Sequence, residues 1–406
     1  MDDAERAIEA VARDSYGRLV AYLAARWHDV AGVEDALADA FLAALRTWPQ
    51  NGVPDKPEAW LFATARHRLI DRARHERMRG ETLQELRHAV RATEEISEGT
   101  VFPDERLKLL FVCAHPAIDA GVHTPLMLQV VLGLDAVTIA GAFLTLPATM
   151  GQRLARAKRK IRDTRIAFEI PDGRDLPHRL GAVLEAIYAA YGSGWDDVAG
   201  ADPRRRGLTD EAIWLARVLL DLMPEEPEAR GLLALMLYCE ARRQARRGQD
   251  GGYVPISEQD TRLWSMPLIE EAERILAAAA SQKRVGRFQL EAALQSAHVE
   301  RARSGRIDWQ GIAVLYEGLV REAPTVGAFV GRAAAVAEAR GSAAGLTLLD
   351  GIPPGIVKIY QPYWAVRAHL LQRLGRRPES LDAFDRAIGL TEDEAIRTFL
   401  WRRRDA

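Results

Sequence analysis

Residues 135–165 read DAVTIAGAFLTLPATMGQRLARAKRKIRDTR: a short helical pattern, a turn, and a second helical pattern that is strongly basic. Met150, Leu154, Ala157 and Ile161 recur at spacings of four, three and four, which places them on one stripe facing a core. Thr149, Gln152, Arg153, Arg156 and Lys160 fall on the opposite side. From Arg153 to Arg165 the segment holds seven Lys or Arg against Asp163, while the whole 406-residue chain carries a formal charge of only −2. The positive charge is local. Such a face is often no more than solvated surface, so its neighbours decide the reading. Ala140 and Gly141 are small enough for two helices to cross closely, Thr145 is placed to cap the second helix, and Pro147 is tolerated in a first turn, where a backbone N–H has no intrahelical partner. Helix, tight turn and basic helix, in that order, form the arrangement whose second helix enters the DNA major groove.

A second basic block lies upstream. Val33, Leu37, Ala40, Phe41, Ala44, Leu45 and Trp48 trace one apolar helical face, and Asp35, Asp39 and Leu42 lie on the other as a small contact surface. The stretch TWPQNGVPDKPEAW follows, in which Pro49, Gly52, Pro54 and Pro57 force a stiff loop before a helix restarts at Glu58. That helix carries six arginines from Arg66 to Arg79 against Asp71 and Glu76, with Trp60 and Phe62 just ahead. Residues 80–102 then form an acidic linker containing Glu81, Glu85, Glu94, Glu95 and Glu98, and IPDGRDLPHR at 170–179 reads as a second linker.

Composition rich in Ala, Leu, Arg and Glu, with few alternating β-branched runs, predicts an all-α chain of several domains. Cys113 and Cys239 lie far apart without C-x-x-C spacing, so neither a zinc site nor a disulfide framework is expected, and both read as buried thiols in a reducing cytosol. The opening MDDAERAIEA is acidic and lacks an apolar core, and no run approaches membrane-spanning length, so neither secretion nor membrane insertion is expected. No cofactor is implied. His115 and His123, or His67 and His75, are each eight residues apart with no Cys, carboxylate pair or phosphate loop to complete a catalytic site.

From about residue 181 the chain repeats a helical-hairpin pattern. With Trp364 as position four of a 34-residue tetratricopeptide unit, Ala368, Leu371, Gly375, Ser380, Phe384 and Ala387 fall on the small and large positions of that unit. Ala212, Ala216, Leu219 and Pro224 echo it, as do Ile312, Tyr316, Leu319 and Pro324. Trp195, Trp264, Trp309 and Trp364 read as hairpin core. Stacked hairpins leave a concave surface for a protein or peptide.

In sequence order, these blocks resemble the two conserved modules of bacterial sigma factors of the extracytoplasmic-function type. VEDALADAFLAALRTWP is similar to sigma region 2.2, PEAWLFATARHRLIDRARH to regions 2.3 and 2.4, and the helix-turn-helix to region 4.2. FPDERLKLLFVCAHPAI, GLLALMLYCEARRQAR and IDWQGIAVLY resemble the subgroup with a long tetratricopeptide-like C-terminal extension. The resemblance implies region 2 over 1–79, the acidic linker over 80–102, region 4 over 103–168, a linker over 169–180 and a regulatory helical-hairpin domain over 181–406.

It also implies roles. Asp35, Asp39 and Leu42 would bind the clamp helices of the RNA polymerase β′ subunit, with region 4 against the β flap. Asn51 to Asp55 would form a pocket for a promoter minus-10 base, with Trp60 beside it; Arg66, His67, Arg68, Arg72 and Arg74 would hold the melting strand, the arginines by neutralising phosphates. Thr149, Gln152, Arg153, Arg156 and Lys160 would engage the duplex minus-35 element, since Gln and Arg each make paired hydrogen bonds to purine edges. His67 and Ala38 stand where relatives commonly carry Asn and Gln, Thr138 and Gly141 where they often carry Glu and Arg, and IYAAYGSGW departs from the usual extension. The competing reading is a free-standing helix-turn-helix regulator with a peptide-sensing repeat domain, which needs no Pro-rich loop followed by an arginine helix.

Overall fold

The computed structural model describes residues 3–77, 104–143, 145–171, 174–196 and 208–406. The acidic linker at 80–102, Arg79, Leu144 and the Trp195 side chain lie outside the described residues. Among those described, regular structure is helical, apart from an isolated antiparallel bridge between Arg247 and Tyr253. No helix among them is long and apolar enough to cross a membrane. The chain divides into two compact units, Met1–Val218 and Leu219–Ala406.

The first unit is built around α1 (Asp3–Trp27). Leu19 through Ala24 are all buried, because the helix is covered on several sides. α2 (Val30–Asn51) and α3 (Pro57–Arg77) pack on it and on each other. The Asp29 carboxylate accepts from Gly32 N at 3.1 Å and so caps α2, and Gly52, at φ +85°, ends it. α4 (Arg106–Cys113) is apolar on most of its circumference and is buried between α1, α5 (Ala120–Val130) and α8 (Leu176–Asp196). Its one charged inward group, Arg106, pairs with Asp104 at 2.6 Å and with Glu211, and lies 4.6 Å from the Trp214 ring. Glu211 and Trp214 sit on α9 (Leu208–Leu222).

α8 begins at Leu176, inside the stretch read as a linker, and its Val183, Leu184, Ile187 and Ala190 are buried. This apolar stripe finds its partner on α5, so α8 belongs with the first unit and the division falls after Val218.

In the second unit α10 (Pro227–Ala241) is buried nearly all round, packed against α11 (Met266–Ser281) and α12 (Arg287–Val299). The segment between α10 and α11 is fastened from outside: the Arg301 guanidinium donates to the carbonyls of Ser257, Ile256 and Gln259 at 2.6, 2.9 and 2.8 Å. Beyond it, α13 (Trp309–Glu322) pairs with α14 (Val326–Arg340), α15 (Ser342–Asp350) packs on α14, and α16 (Gln361–Arg373) pairs with α17 (Arg377–Gly389), followed by α18 (Glu394–Asp405). In the α16–α17 hairpin Ala368, Leu371, Ser380, Phe384 and Ala387 are buried, and Gly375 makes the turn at φ +71°. Ser380 Oγ donates to Ala368 O at 2.9 Å, so this small polar residue is satisfied at the crossing. Trp264 is buried, whereas Trp309 and Trp364 are half-buried; Cys113 is buried and Cys239 only half-buried.

His298, on α12, stacks edge-on against Trp309 at 5.7 Å. Burial, reinforced by the Arg242 and Arg301 cations, pushes its imidazole down to about 4. Above pH 6.5 the residue is neutral whether folded or unfolded. Between 6.5 and 4 only the unfolded chain takes up the proton, so stability falls with pH over that window, by up to about 3 kcal/mol at its foot. Denaturant unfolding at pH 7 and pH 5 should show a loss for the native sequence that is reduced in His298→Gln. Equal losses would mean His298 is protonated in the folded state.

Candidate nucleic-acid interface

The two helices expected over residues 135–165 form where their spacing predicts. α6 (Ala136–Ala142) is capped by the Asp135 carboxylate, which accepts from Thr138 N at 2.8 Å. α7 (Pro147–Asp163) starts with Pro147 in its first turn, and Met150, Leu154, Ala157 and Ile161 are all buried. Two local expectations are corrected. The N-cap position is Leu146, with no side-chain cap bond, so Thr145 does not cap the helix; Pro147 alone supplies the preset first turn. At the crossing it is Ala140 that is buried, while Gly141 is exposed with open space beside its Cα.

Gln152, Arg153, Arg156 and Lys160 are exposed and Thr149 is half-buried, so the expected reading face does look outward. Arg153, Arg156 and Lys160 border a cleft of about 440 Å³ whose other wall is Ile118, Asp119 and Val122. Cations around a concavity suit an anion such as a backbone phosphate, and an arginine among them, such as Arg153, can instead reach a base edge. The remaining two residues, Thr149 and Gln152, lie outside that cleft, where they can meet base edges.

On the upstream module, Asp35, Asp39 and Leu42 are exposed on α2, and Val33, Leu37, Ala40, Ala44 and Trp48 are buried on its other side. Leu45, expected in the core, is 46% exposed and extends the apolar part of the surface begun by Leu42 at 52%. The face is therefore wider than its spacing alone suggested. Asn51 is the last residue of α2 and is exposed, as are Gly52, Val53 and Asp55. Trp60 is half-buried and stacks edge-on with Trp48 at 5.5 Å, which fixes the loop's re-entry into α3. Arg18 holds the same corner, donating from Nη2 to both Glu58 oxygens at 3.0 Å.

On α3, His67, Arg68, Arg72 and Arg74 are exposed and Arg66 is half-buried. Arg72 Nη1 lies 3.3 Å from Asp35 Oδ2. Thus one residue expected to hold DNA and one expected to hold the partner protein face each other across α2 and α3. Both are well exposed, so the pair contributes little to stability and can be exchanged for other partners. Arg74 has Asp71 at 3.6 Å.

The sequence reading missed a buried charge pair. Lys158 turns inward, unlike Arg153, Arg156, Arg159 and Lys160, and its Nζ donates to Glu34 Oε2 at 2.7 Å. Both side chains are about 15% exposed. Burial raises the Glu34 carboxyl even though Lys158 opposes it, and the Tyr16 hydroxyl, hydrogen-bonded to Glu34, is raised by burial and then by the Glu34 charge. Cys113, buried nearby, is raised for the same first reason. A signal was present: Lys158 stands four residues after Leu154 and next to Ala157, on the flank of the apolar stripe rather than opposite it.

Residues 12–79 match sigma-70 region 2, and residues 179–280 match a family of unknown function, DUF6596. An uncharacterized protein of Rhizobium meliloti (strain 1021) is 36% identical over 372 residues, covering 90% of this chain and 88% of that protein. No solved structure matches the chain. The matched region 2 is the module made by α1, α2 and α3, with its acidic-apolar face on α2 and its arginines on α3. The chain thus belongs to one family with the Rhizobium protein and carries region 2 of a sigma-70 family factor.

Proposed function

We propose that this protein is a sigma factor of the extracytoplasmic-function type: it binds core RNA polymerase, directs initiation at a small promoter set, and carries a tetratricopeptide-like C-terminal domain that modulates it. The observation that carries the reading is the pairing, in one chain, of a matched sigma-70 region 2 with a helix-turn-helix whose basic face is exposed. In this reading α2 offers Asp35, Asp39 and Leu42, with Leu45 beside them, to the β′ clamp helices. The loop after α2 and the α3 residues Arg66, His67, Arg68, Arg72 and Arg74 hold the melting minus-10 strand. Arg72 exchanges Asp35 for a phosphate when DNA arrives. α7 engages duplex minus-35 DNA, Thr149, Gln152 and Arg153 at base edges and Arg156 and Lys160 chiefly at phosphates. The whole activity is binding and positioning; the chemistry of RNA synthesis belongs to the polymerase.

The hairpins after Val218 support the regulatory part, with buried small residues at the crossings of α16 and α17 and again of α13 and α14. Their partner would be a protein or peptide segment. Run-off transcription with purified core enzyme, on the DNA upstream of the protein's own gene, tests the proposal. Specific initiation is expected only when both are present. A protein that retards duplex DNA alone but never supports specific initiation with core enzyme would be a free-standing helix-turn-helix regulator instead.

A further inference from the structure

The two ends of the second unit are tied to each other. In a linear array of helical hairpins each repeat touches its neighbours, so the first and the last do not meet. Here the segment after α10, the first helix wholly inside the unit, reaches α18, the last. Residues 246–254 form a tight hairpin tongue. Val254 N donates to Arg246 O at 3.0 Å and Gly248 N to Gly252 O at 2.9 Å, with Gly251 in the turn at φ +76°. The root of the tongue is held by the Arg301 guanidinium and by Gln259 Nε2, which donates to Val254 O at 3.3 Å.

Polar and aromatic contacts join this tongue and its root to α18. Arg247 Nη2 lies 2.6 Å from Oδ2 of Asp393, 146 residues away, and the same carboxylate caps α18 by accepting from Ala395 N at 2.8 Å. The Tyr253 ring stands edge-on to Phe399 at 5.4 Å. Glu258 pairs with Arg403, and Asp250 with Arg402 at 4.0 Å. The apolar seat of α18 is small by comparison. Leu400 is fully covered and Ile396 and Phe399 partly, whereas α17 buries Ala383, Phe384, Ala387 and Ile388. On the last hairpin, Gln372 Nε2 donates to Arg403 O at 3.0 Å, and Asp385 pairs with Arg404 at 2.8 Å.

We propose that the tongue and α18 form a clasp. Closed, it joins the ends of the second unit; open, it releases α18 while the other hairpins stay folded. The clasp involves the second unit alone and stands independently of the promoter reading. Its behaviour follows from how α18 is held. An element with little apolar burial opens at a lower free energy than the core beside it. The Glu258–Arg403 and Asp250–Arg402 pairs are half exposed or more, so salt weakens them, while the apolar seams between hairpins are insensitive to such screening. Opening is therefore set by ionic strength and by residues of the tongue, although the helix that moves lies at the far end of the unit.

Hydrogen exchange of the full chain, read by mass spectrometry on peptides from α18 and from α14 as the reference, tests the clasp. Amides of α18 should exchange at least about tenfold faster than those of α14, once corrected for intrinsic rates, and raising NaCl from about 0.05 M to about 1 M should widen the gap. Arg247→Met together with Glu258→Gln, both outside α18, should accelerate α18 about tenfold and leave α14 unchanged. Asp393→Asn keeps a capping side chain and removes the charge, so it should accelerate α18 in the same direction. The clasp is overturned if α18 and α14 exchange at one rate, if the tongue substitutions leave α18 unchanged, or if α14 accelerates by the same factor as α18.

Discussion

Replacing Gln152 and Arg153 together with alanine is expected to lower specific initiation at least about 100-fold while core polymerase binding persists. Each side chain is exposed on α7, so its removal leaves the buried stripe of Met150, Leu154, Ala157 and Ile161 intact. A well-made bidentate contact to a base contributes about 1–3 kcal/mol of discrimination, and two together reach two orders of magnitude without assuming the upper end. Lys160→Ala is the informative contrast. As a phosphate contact it should weaken all duplexes alike and reduce the salt dependence of binding by about one unit of slope, leaving the preferred sequence unchanged. Initiation is read by run-off transcription, and the two binding effects by titration of labelled duplexes over a salt series. Parallel loss of core binding in the double variant would show that α7 had been misassigned.

The second large effect concerns Glu228 in the repeat-containing unit. Its carboxylate accepts from Phe288 N at 3.0 Å, Gln289 N at 3.1 Å and Gln289 Nε2 at 3.2 Å. A side chain on α10 thus satisfies the orphan amides at the start of α12, where the helix dipole also favours negative charge. The approach is close enough to need glycine on both sides. A Cβ at Gly286 would lie 2.3 Å from Glu228 Cδ, and one at Gly231 only 2.6 Å from Gln289 N. Hydrogen bonds to a charged group contribute about 1.5–3 kcal/mol each, and Glu228 is only half-buried, so Glu228→Ala should cost the second unit about 3 kcal/mol. For a unit of this size that is a fall of roughly 10 °C in melting temperature. Glu228→Gln, which keeps an acceptor but not the charge, should fall between. Calorimetry of the full chain reads both, and a melting temperature unchanged in Glu228→Ala would mean that water satisfies these amides equally well.

Much of this was legible in order along the chain. The stripe on α7 and the small residues of the α16–α17 hairpin are periodic or local signals, and the structure places their residues as spacing requires, whereas Pro49, expected to break the helix, lies inside α2, which runs on to Asn51. The misreadings were also local, and each has a competing cause. Leu45 looked like core because it shares a helical face with Phe41 and Trp48, but α1 and α3 cover only the inner part of that face. Thr145 looked like a cap because of its chemistry, while the backbone turned into helix one residue later. The helix starting at Leu176 was hidden among Pro, Gly and Asp residues that usually mark a loop.

The sequence by itself determined that the chain is helical, that it carries two basic modules, and which face of α7 looks outward, because a 3.6-residue period and the backbone limits of Pro and Gly act within a few residues. Only the tertiary structure decided that Lys158 lies on Glu34, 124 residues away, that Gly17 is the bare surface on which the end of α5 rests, and that Glu228 caps a helix 60 residues downstream. Those pairings depend on the path of the chain. A buried charge and a missing Cβ acquire meaning only from the atom they meet, and no periodicity in one segment records which distant atom that is.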